Sequence, residues 1–290
     1  MSTNRVAIIT GGASGMGLAV AQTLSIQGGW DIHILDLNTE SGESTARSLG
    51  PNATFHKCNV TSYDSLGSIF NTIYTQSSRL DFVFANAGIA EHGNFFAPKA
   101  ADCDGIPPPP KGMNALVDIN IKSVITTCHL ALHYMRHDKT PGRDKNLIIT
   151  ASCGGFYPSY YSPIYTATKH AVVGFMRAIA PYFHHSASIR VNAICPGTVR
   201  TNLLSNAEWE QFPEEYFTPV EKIAQTVAML IGGEDKEKGG DQGVLLGKAV
   251  EVSGWKHYYR DAPEFSDEAM RAVMGATNIE VSGNAEEVKG

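Results

Sequence analysis

The chain has 290 residues, 43% of them apolar, and carries a formal net charge of −6 at pH 7. That length suits one large α/β domain or two small ones, and the apolar fraction is enough for a buried core. The acidic balance gives no reason to expect nucleic acid or an anionic membrane as a partner, and no run approaches the ~20 apolar residues of a membrane span.

Met1 to Arg5 pass straight into a strand-like segment, which leaves no room for a signal peptide. The cysteines (Cys58, Cys103, Cys128, Cys153 and Cys195) are scattered, odd in number and lack a C-x-x-C pair. Reduced thiols in a cytoplasmic compartment are therefore expected, with no disulfide framework and no zinc site.

Arg5 to Thr10 is a continuous apolar run, as expected of a strand covered on both faces of a parallel sheet. It enters Thr10-Gly11-Gly12-Ala13-Ser14-Gly15-Met16-Gly17 and then a helical pattern from Leu18 to Ser25. Strand, glycine-rich turn and helix together point to phosphate binding, because missing β-carbons allow close backbone approach and the helix N-terminus offers free N–H groups. A purely structural turn is the alternative. Trp30 to Leu37 reads as a second strand, with Asp36 about twenty residues past the glycines, where a carboxylate can bind an adenosine ribose. Asp36 would repel a 2′-phosphate and Leu37 supplies no cation, so NAD is favoured over NADP; a solvated strand-end acid is the alternative reading.

Ala53 to Cys58 reads as a third strand, followed by Asn59-Val60 and a helix from Ser62 to Gln76. Leu80 to Ala85 reads as a fourth strand, ending in Asn86-Ala87-Gly88. Alternation of strand and helix predicts a right-handed parallel sheet with its ligand crevice at the strand ends. Glu91 to Gly112 breaks the rhythm with Pro107 to Pro110, a loop that either walls the substrate site or is a surface insertion. Asn114 to His137 is helical, and Asn120 in its apolar stripe either bends the helix and holds a water or is a satisfied core asparagine. His129, His133 and His137 share one face, but no carboxylate or cysteine completes a ligand set, so no metal is expected.

Asn146 to Ala151 forms a fifth strand ending at Ser152, and the next helix carries Tyr165-Thr-Ala-Thr-Lys169 and runs to about His185. Tyrosine and lysine four residues apart share a helix face, and a nearby ammonium favours the phenolate. Ser188 to Ile194 is a sixth strand, closed by Cys195-Pro196-Gly197. Residues 197–219, with Trp209, Phe212, Tyr216 and Phe217, read as a mobile lid. Val220 to Ile231 is helical and Gly247 to Val252 is a seventh strand. From Trp255 the composition turns polar; Ser266 is placed to cap a helix from Asp267 to Met274, and the last dozen residues read as disordered. The expected division is a single dinucleotide-binding and catalytic domain over 1–254 and a C-terminal extension over 255–290.

The ordered set Thr10-Gly-x-x-x-Gly15-x-Gly17, Asp36, Asn86-Ala87-Gly88, Asn120, Ser152, Tyr165-x-x-x-Lys169 and Pro196-Gly197 resembles the short-chain dehydrogenase/reductases over about residues 4 to 254. The resemblance implies a three-layer, Rossmann-type, doubly wound parallel sheet of about seven strands, and NAD-linked hydride transfer between an alcohol and a ketone. It makes Tyr165 the acid/base, Ser152 the group that polarises the substrate oxygen, Lys169 the residue that binds the nicotinamide ribose and lowers the Tyr165 pKa, and Asn120 the holder of a relay water. Gly11, Ser14, Gly15, Met16 and Gly17 would line the pyrophosphate; Asp36, Leu37, Asn59, Val60, Asn86, Ala87 and Gly88 would take the adenosine side; Pro196, Gly197, Val199 and Thr201 would hold the carboxamide. Asn59 stands where many members have an aspartate. Phe156, Tyr157, Tyr160 and Tyr161, with the lid aromatics, suggest an apolar substrate, cyclic ones included. Within the family the resemblance is nearest to fungal alcohol dehydrogenases of specialised (secondary) metabolism and to prostaglandin-type alcohol oxidation. It also implies a homodimer or homotetramer built on the helices at 114–137 and 162–185. A ketoreductase or isomerising relative, and a non-catalytic nucleotide sensor, are the competing readings.

Overall fold

The computed structural model describes residues 4–97, 106, 108–138, 145–239 and 244–278. Its strands are β1 (Arg5–Thr10), β2 (Trp30–Asp36), β3 (Ala53–Lys57), β4 (Phe82–Ala85), β5 (Lys145–Thr150), β6 (Ile189–Pro196), β7 (Ala249–Ser253) and β8 (Lys256–Arg260). They form one sheet in the order β3-β2-β1-β4-β5-β6-β7-β8. The first seven are parallel, with Ile8 of β1 level with His33 of β2 and Val83 of β4. The chain thus winds outward from β1 in both directions, and the crevice between the carboxyl ends of β1 and β4 is the switch point where such sheets bind ligands.

Alternate residues of each buried strand feed opposite layers. Val6, Ile8, Val83, Leu147 and Val191 pack with Phe70 of α3 (Tyr63–Ser77), Cys128 and Met135 of α5 (Ser123–His137), and Val172 and Met176 of α6 (Pro163–Ala187). Ala7, Ile9, Phe84, Ile148 and Ile194 pack with Val20 and Leu24 of α1 (Gly15–Gln27) and with Ile223 and Val227 of α8 (Val220–Gly232). Strands covered on both faces need apolar residues at every position, which is why their sequences read as unbroken runs.

Three features differ from the sequence expectations. A helix α2 (Thr39–Leu49) follows β2, capped by Asn38, whose side chain accepts the N–H of Ser41. An eighth strand extends the sheet past Gly254: β8 runs antiparallel to β7, with Val252 opposite His257. The short helix α9 (Glu268–Gly275) is capped by Asp267, not Ser266, and buries no residue. The proline stretch at 107–110 falls partly, and Cys103 and residues 279–290 fall wholly, outside the described residues.

The helical segment Met113–His137 is 25 residues long and passes a test of length and composition for a membrane span, as core helices also do. Here Val124, Cys128, Leu130, Ala131 and Met135 are buried in the core. The segment comprises α4 (Met113–Val117), a π-turn at Asp118–Lys122, and α5.

Candidate active site

The glycine turn after β1 is built around steric limits. Gly11 has φ +64 and Gly15 has φ +52, left-handed values that glycine adopts without strain. A β-carbon on Gly17 would lie 2.2 Å from the carbonyl oxygen of Gly11, so only glycine lets the helix start this close to the turn. Ser14 is the N-cap of α1 with extended backbone, its side chain makes no cap bond, and no acidic residue sits in the first turn. The positive end of α1 is left for an external anion.

Asp36, at the end of β2, accepts the N–H of Ala13 through Oδ2 and the N–H of Asn38 through Oδ1, each at 3.1 Å. One carboxyl group thus both pins the glycine turn and faces the cleft. Asn86 ties three strand ends together: its Nδ2 donates to the carbonyls of Thr10 and Gly11, and its Oδ1 accepts from the Thr150 hydroxyl at 3.0 Å. Asn59 Oδ1 accepts from both the N–H and the hydroxyl of Thr61, which leaves its Nδ2 as the group a ligand can use.

At the other end, Ser152 sits in extended backbone just past β5, and its Oγ accepts the N–H of Gly154 at 3.1 Å. Tyr165 lies in the first turn of α6. Burial pushes its phenol up to about 12, against the pull of a hydrogen bond with Ser152 and in the same direction as the neighbouring Cys153 thiol. Lys169 is 4% exposed, and its Nζ donates to the carbonyl of Thr150 at 3.1 Å. Burial brings its ammonium down to about 8, opposed by Cys195. Burial sets the direction for Tyr165, and the lowering expected from its lysine is not seen.

Asn120 lies in the π-turn, 0% exposed, and does not line the cleft. Its Oδ1 accepts the N–H of Ile89 and its Nδ2 donates to the carbonyl of Ile89, both at 2.9 Å. The side chain expected to hold a relay water clamps the loop after β4, and the neighbouring Ile119 faces the cleft. Gly88 stands between: a β-carbon there would come 3.4 Å from Asn120 Oδ1 and 3.8 Å from Lys169 Nζ.

After β6, Gly197 N–H donates to the carbonyl of Val252, and Thr201 reaches the glycine turn, where a β-carbon on Gly15 would lie 3.0 Å from its methyl group. Trp209, in the one-turn helix α7 (Asn206–Trp209), is buried and donates its indole N–H to the Thr201 carbonyl at 2.9 Å. The folded lid thus rests on the cofactor end of the cleft.

The cleft has a volume of about 360 Å³ and is lined by Gly11, Ser14, Gly15, Met16, Asp36, Leu37, Asn59, Val60, Asn86, Ala87, Gly88, Ser152, Tyr165, Lys169, Pro196, Gly197, Val199 and Thr201. Of the expected site residues only Gly17 and Asn120 stand back from its surface. Tyr160 and Tyr161 are 80% and 91% exposed, and neither they nor Phe156 and Tyr157 line it, which corrects the expected aromatic pocket wall. Tyr157 instead donates its hydroxyl to Glu251 and accepts from Arg260. The apolar wall comes from Ile89, Ile119, Leu203 and Trp209. The first three carry no signal in sequence beyond ordinary hydrophobicity.

Residues 5–211 match the family model for short chain dehydrogenases. The chain is 48% identical over 275 residues to the short-chain dehydrogenase/reductase prx7 of Penicillium rubens, covering 91% of this chain and 97% of that protein. It is 32% identical over 219 residues to human NAD(+) 15-hydroxyprostaglandin dehydrogenase, covering 73% of this chain and 74% of that one. A 3-ketoacyl-(acyl-carrier-protein) reductase from Brucella melitensis, solved with NADH, shares the fold with a TM-score of 0.70 at 22% identity, over 88% of this chain and 98% of its own.

Proposed function

The chain belongs to the short-chain dehydrogenase family, and from that premise we propose that it is an NAD-dependent oxidoreductase that oxidises a secondary alcohol of an apolar small molecule to the ketone. The observation that carries the reading is the cleft itself, which brings Asp36 to one end and Ser152, Tyr165 and Lys169 to the other. The residues fit a dinucleotide: the uncapped start of α1 suits the pyrophosphate, and Asp36 suits an adenosine ribose without a 2′-phosphate. When bound, the nicotinamide supplies the hydride acceptor.

The chain's own groups handle the proton and the orientation. Ser152 and Tyr165 converge, so a substrate oxygen can sit between the two hydroxyls. Tyr165 must take a proton from the alcohol, and a phenol held near about 12 is a weak base. Positive charge near the ring has to bring it down, and Lys169 is the side chain placed to supply it. Thr150 holds Lys169 at that distance through its carbonyl. Trp209 and Leu203 add apolar surface to the cleft wall.

Reduction of the ketone is a second reading that the same cleft supports, since the Tyr165 hydroxyl that takes a proton in one direction gives it back in the other. Absorbance at 340 nm, followed in both directions with NAD and NADP over a panel of cyclic and acyclic secondary alcohols and ketones, tests both. Absence of any NAD-linked turnover across that panel would remove the proposal. We place the protein in the cytoplasm, supported by its free thiols Cys58, Cys128, Cys153 and Cys195, and assign it a homodimer or homotetramer built on α5 and α6. Ile125 of α5, 42% exposed, supports such an interface, and sedimentation tests it.

A further inference from the structure

Side-chain-to-backbone hydrogen bonds hold the loop after β4 at several points, its first residues through Thr10 Oγ1, which accepts the N–H groups of Asn86 and Ala87. Asn86 fastens its start to the glycine turn, Asn120 fastens Ile89, and Glu91 reaches across to α6. The Oε2 of Glu91 accepts the backbone N–H of Tyr165 at 2.8 Å, a link between residues 74 apart in sequence. Glu91 is only 9% exposed although it lies in a loop, and its other oxygen, Oε1, is buried with no hydrogen-bond partner among the described residues. Burying a carboxyl group with half its capacity unused costs stability, so its retention calls for a reason.

The reason lies at the start of α6. Pro163 occupies the first positions, the N-cap Ser162 makes no side-chain cap bond, and the first turn contains no acidic residue. Glu91 supplies from outside both the acceptor and the acidic group that this helix end lacks. The N–H it takes belongs to the residue whose phenol does the proposed chemistry. Glu91 does not line the cleft, so it acts on the reaction through what it joins, the first turn of α6 at Tyr165 and the loop that carries Gly88 and Ile89.

We propose that Glu91 is a positioning residue: it bolts the first turn of α6 to the β4 loop and so sets where the Tyr165 phenol stands relative to Ser152 and to Gly88. The proposal rests on the reading of Tyr165 as acid/base, and it adds a residue outside the cleft to that machinery. A phenol displaced by a fraction of an ångström still permits binding but reacts slowly, because near-attack geometry is lost.

The test compares Glu91→Gln, Glu91→Ala and Tyr165→Phe in full-length protein, measuring kcat, KM for the alcohol, NAD affinity by fluorescence titration, and Tm. Glu91→Gln keeps an acceptor and should retain kcat within about twofold, whereas Glu91→Ala should lose about tenfold or more in kcat with KM and NAD affinity within about threefold. The proposal is overturned if Glu91→Ala keeps wild-type kcat. It is equally overturned if kcat, NAD affinity and Tm fall together in both variants, which is a structural role alone. Should Glu91→Ala fail to fold, Glu91→Gln decides: wild-type kcat sustains the proposal and a tenfold loss sinks it. Wild-type turnover by Tyr165→Phe would instead bring down the reading of Tyr165, a different result from any of these.

Discussion

The ammonium nitrogen of Lys169 lies 5.5 Å from the centre of the Tyr165 ring and gives its hydrogen bond to the carbonyl of Thr150, 3.1 Å away. The two side chains are neighbours without being bonded to each other, so the route open from the lysine to the phenol is its field. Burial moves both groups toward their neutral forms, the lysine down to about 8 and the tyrosine up to about 12.

The first consequence concerns Tyr165. Replacement by phenylalanine removes the proton carrier and leaves the ring's packing, so turnover should fall by about 10²–10⁴-fold while NAD binding changes little. Steady-state rates and a cofactor titration on the same preparation check this. Wild-type turnover would clear Tyr165 of the acid/base role.

The second concerns Lys169 and pH. Its folded pKa of about 8 lies below its ordinary 10.5. Between those values the unfolded chain binds the proton that the folded chain has released, so this group adds stability as pH rises from about 8 to 10.5. Below about 8 the fold carries a buried ammonium, a cost that Lys169→Met lacks. Unfolding of cofactor-free wild type and Lys169→Met, measured from pH 7 to 10.5, should show wild type gaining on the variant as pH rises. Parallel curves would contradict the burial argument.

How much of this was legible in sequence depended on range. Strands such as Arg5–Thr10 and Phe82–Ala85 announced themselves because both faces are covered and the runs Val6–Ile9 and Phe82–Ala85 are apolar throughout. Helix α2 did not, since Thr-Glu-Ser-Gly-Glu-Ser-Thr-Ala-Arg-Ser-Leu has almost no apolar stripe. It packs instead through Gly42, where a β-carbon would come 2.1 Å from the Phe55 ring. Strand β8 hid for a related reason: an edge strand can alternate charge and aromatic residues, and Lys256–Arg260 therefore looked like tail. The glycine turn and the Tyr165–Lys169 pair stand out by local spacing, whereas the role of Ser152 beside them comes from the family resemblance. The partners of Asn120 and Glu91 could not be found from spacing, because Ile89 lies 31 residues from the first and Tyr165 lies 74 from the second.

Asp36 supports a third prediction. Asp36→Asn removes the charge that repels a 2′-phosphate and keeps one of the two oxygens that accept the Ala13 and Asn38 N–H groups. The ratio of NAD to NADP affinity should narrow by about tenfold or more, roughly 1.4 kcal/mol. Dissociation constants for both cofactors measure it, and an unchanged ratio would dismiss Asp36 as the selector.

A fourth follows from β8. Asp235 Oδ2 accepts from His257 Nε2 at 2.8 Å and from the Tyr259 hydroxyl at 2.7 Å, both on that strand. Cutting the chain after Gly254 removes both bonds and the strand that covers Asp235, at about 1–3 kcal/mol per lost hydrogen bond, and should lower Tm by several degrees. Cutting after Ala262 removes α9, which buries nothing, and should leave Tm unchanged. Burial works to raise the Asp235 carboxyl, but the bonds from His257 and Tyr259 win and hold it below its usual 3.8. Its contribution is present above that pH and lost as pH falls through the lower folded value. Scanning calorimetry of Asp235→Asn against wild type should therefore show a gap at pH 7 that closes in acid.

The π-turn at Asp118–Lys122 has a consequence for how α4 and α5 can vary. A π-turn holds one residue more than an α-turn, and each residue advances a helix by about 100°. The two halves thus keep independent angular phases: α5 presents Cys128 and Met135 to the sheet while Asn120 stays aimed at Ile89. Deleting one residue from this turn would straighten the helix and rotate one half out of phase with the other. The extra residue is a gearing between packing and chemistry, and length there is fixed more tightly than identity.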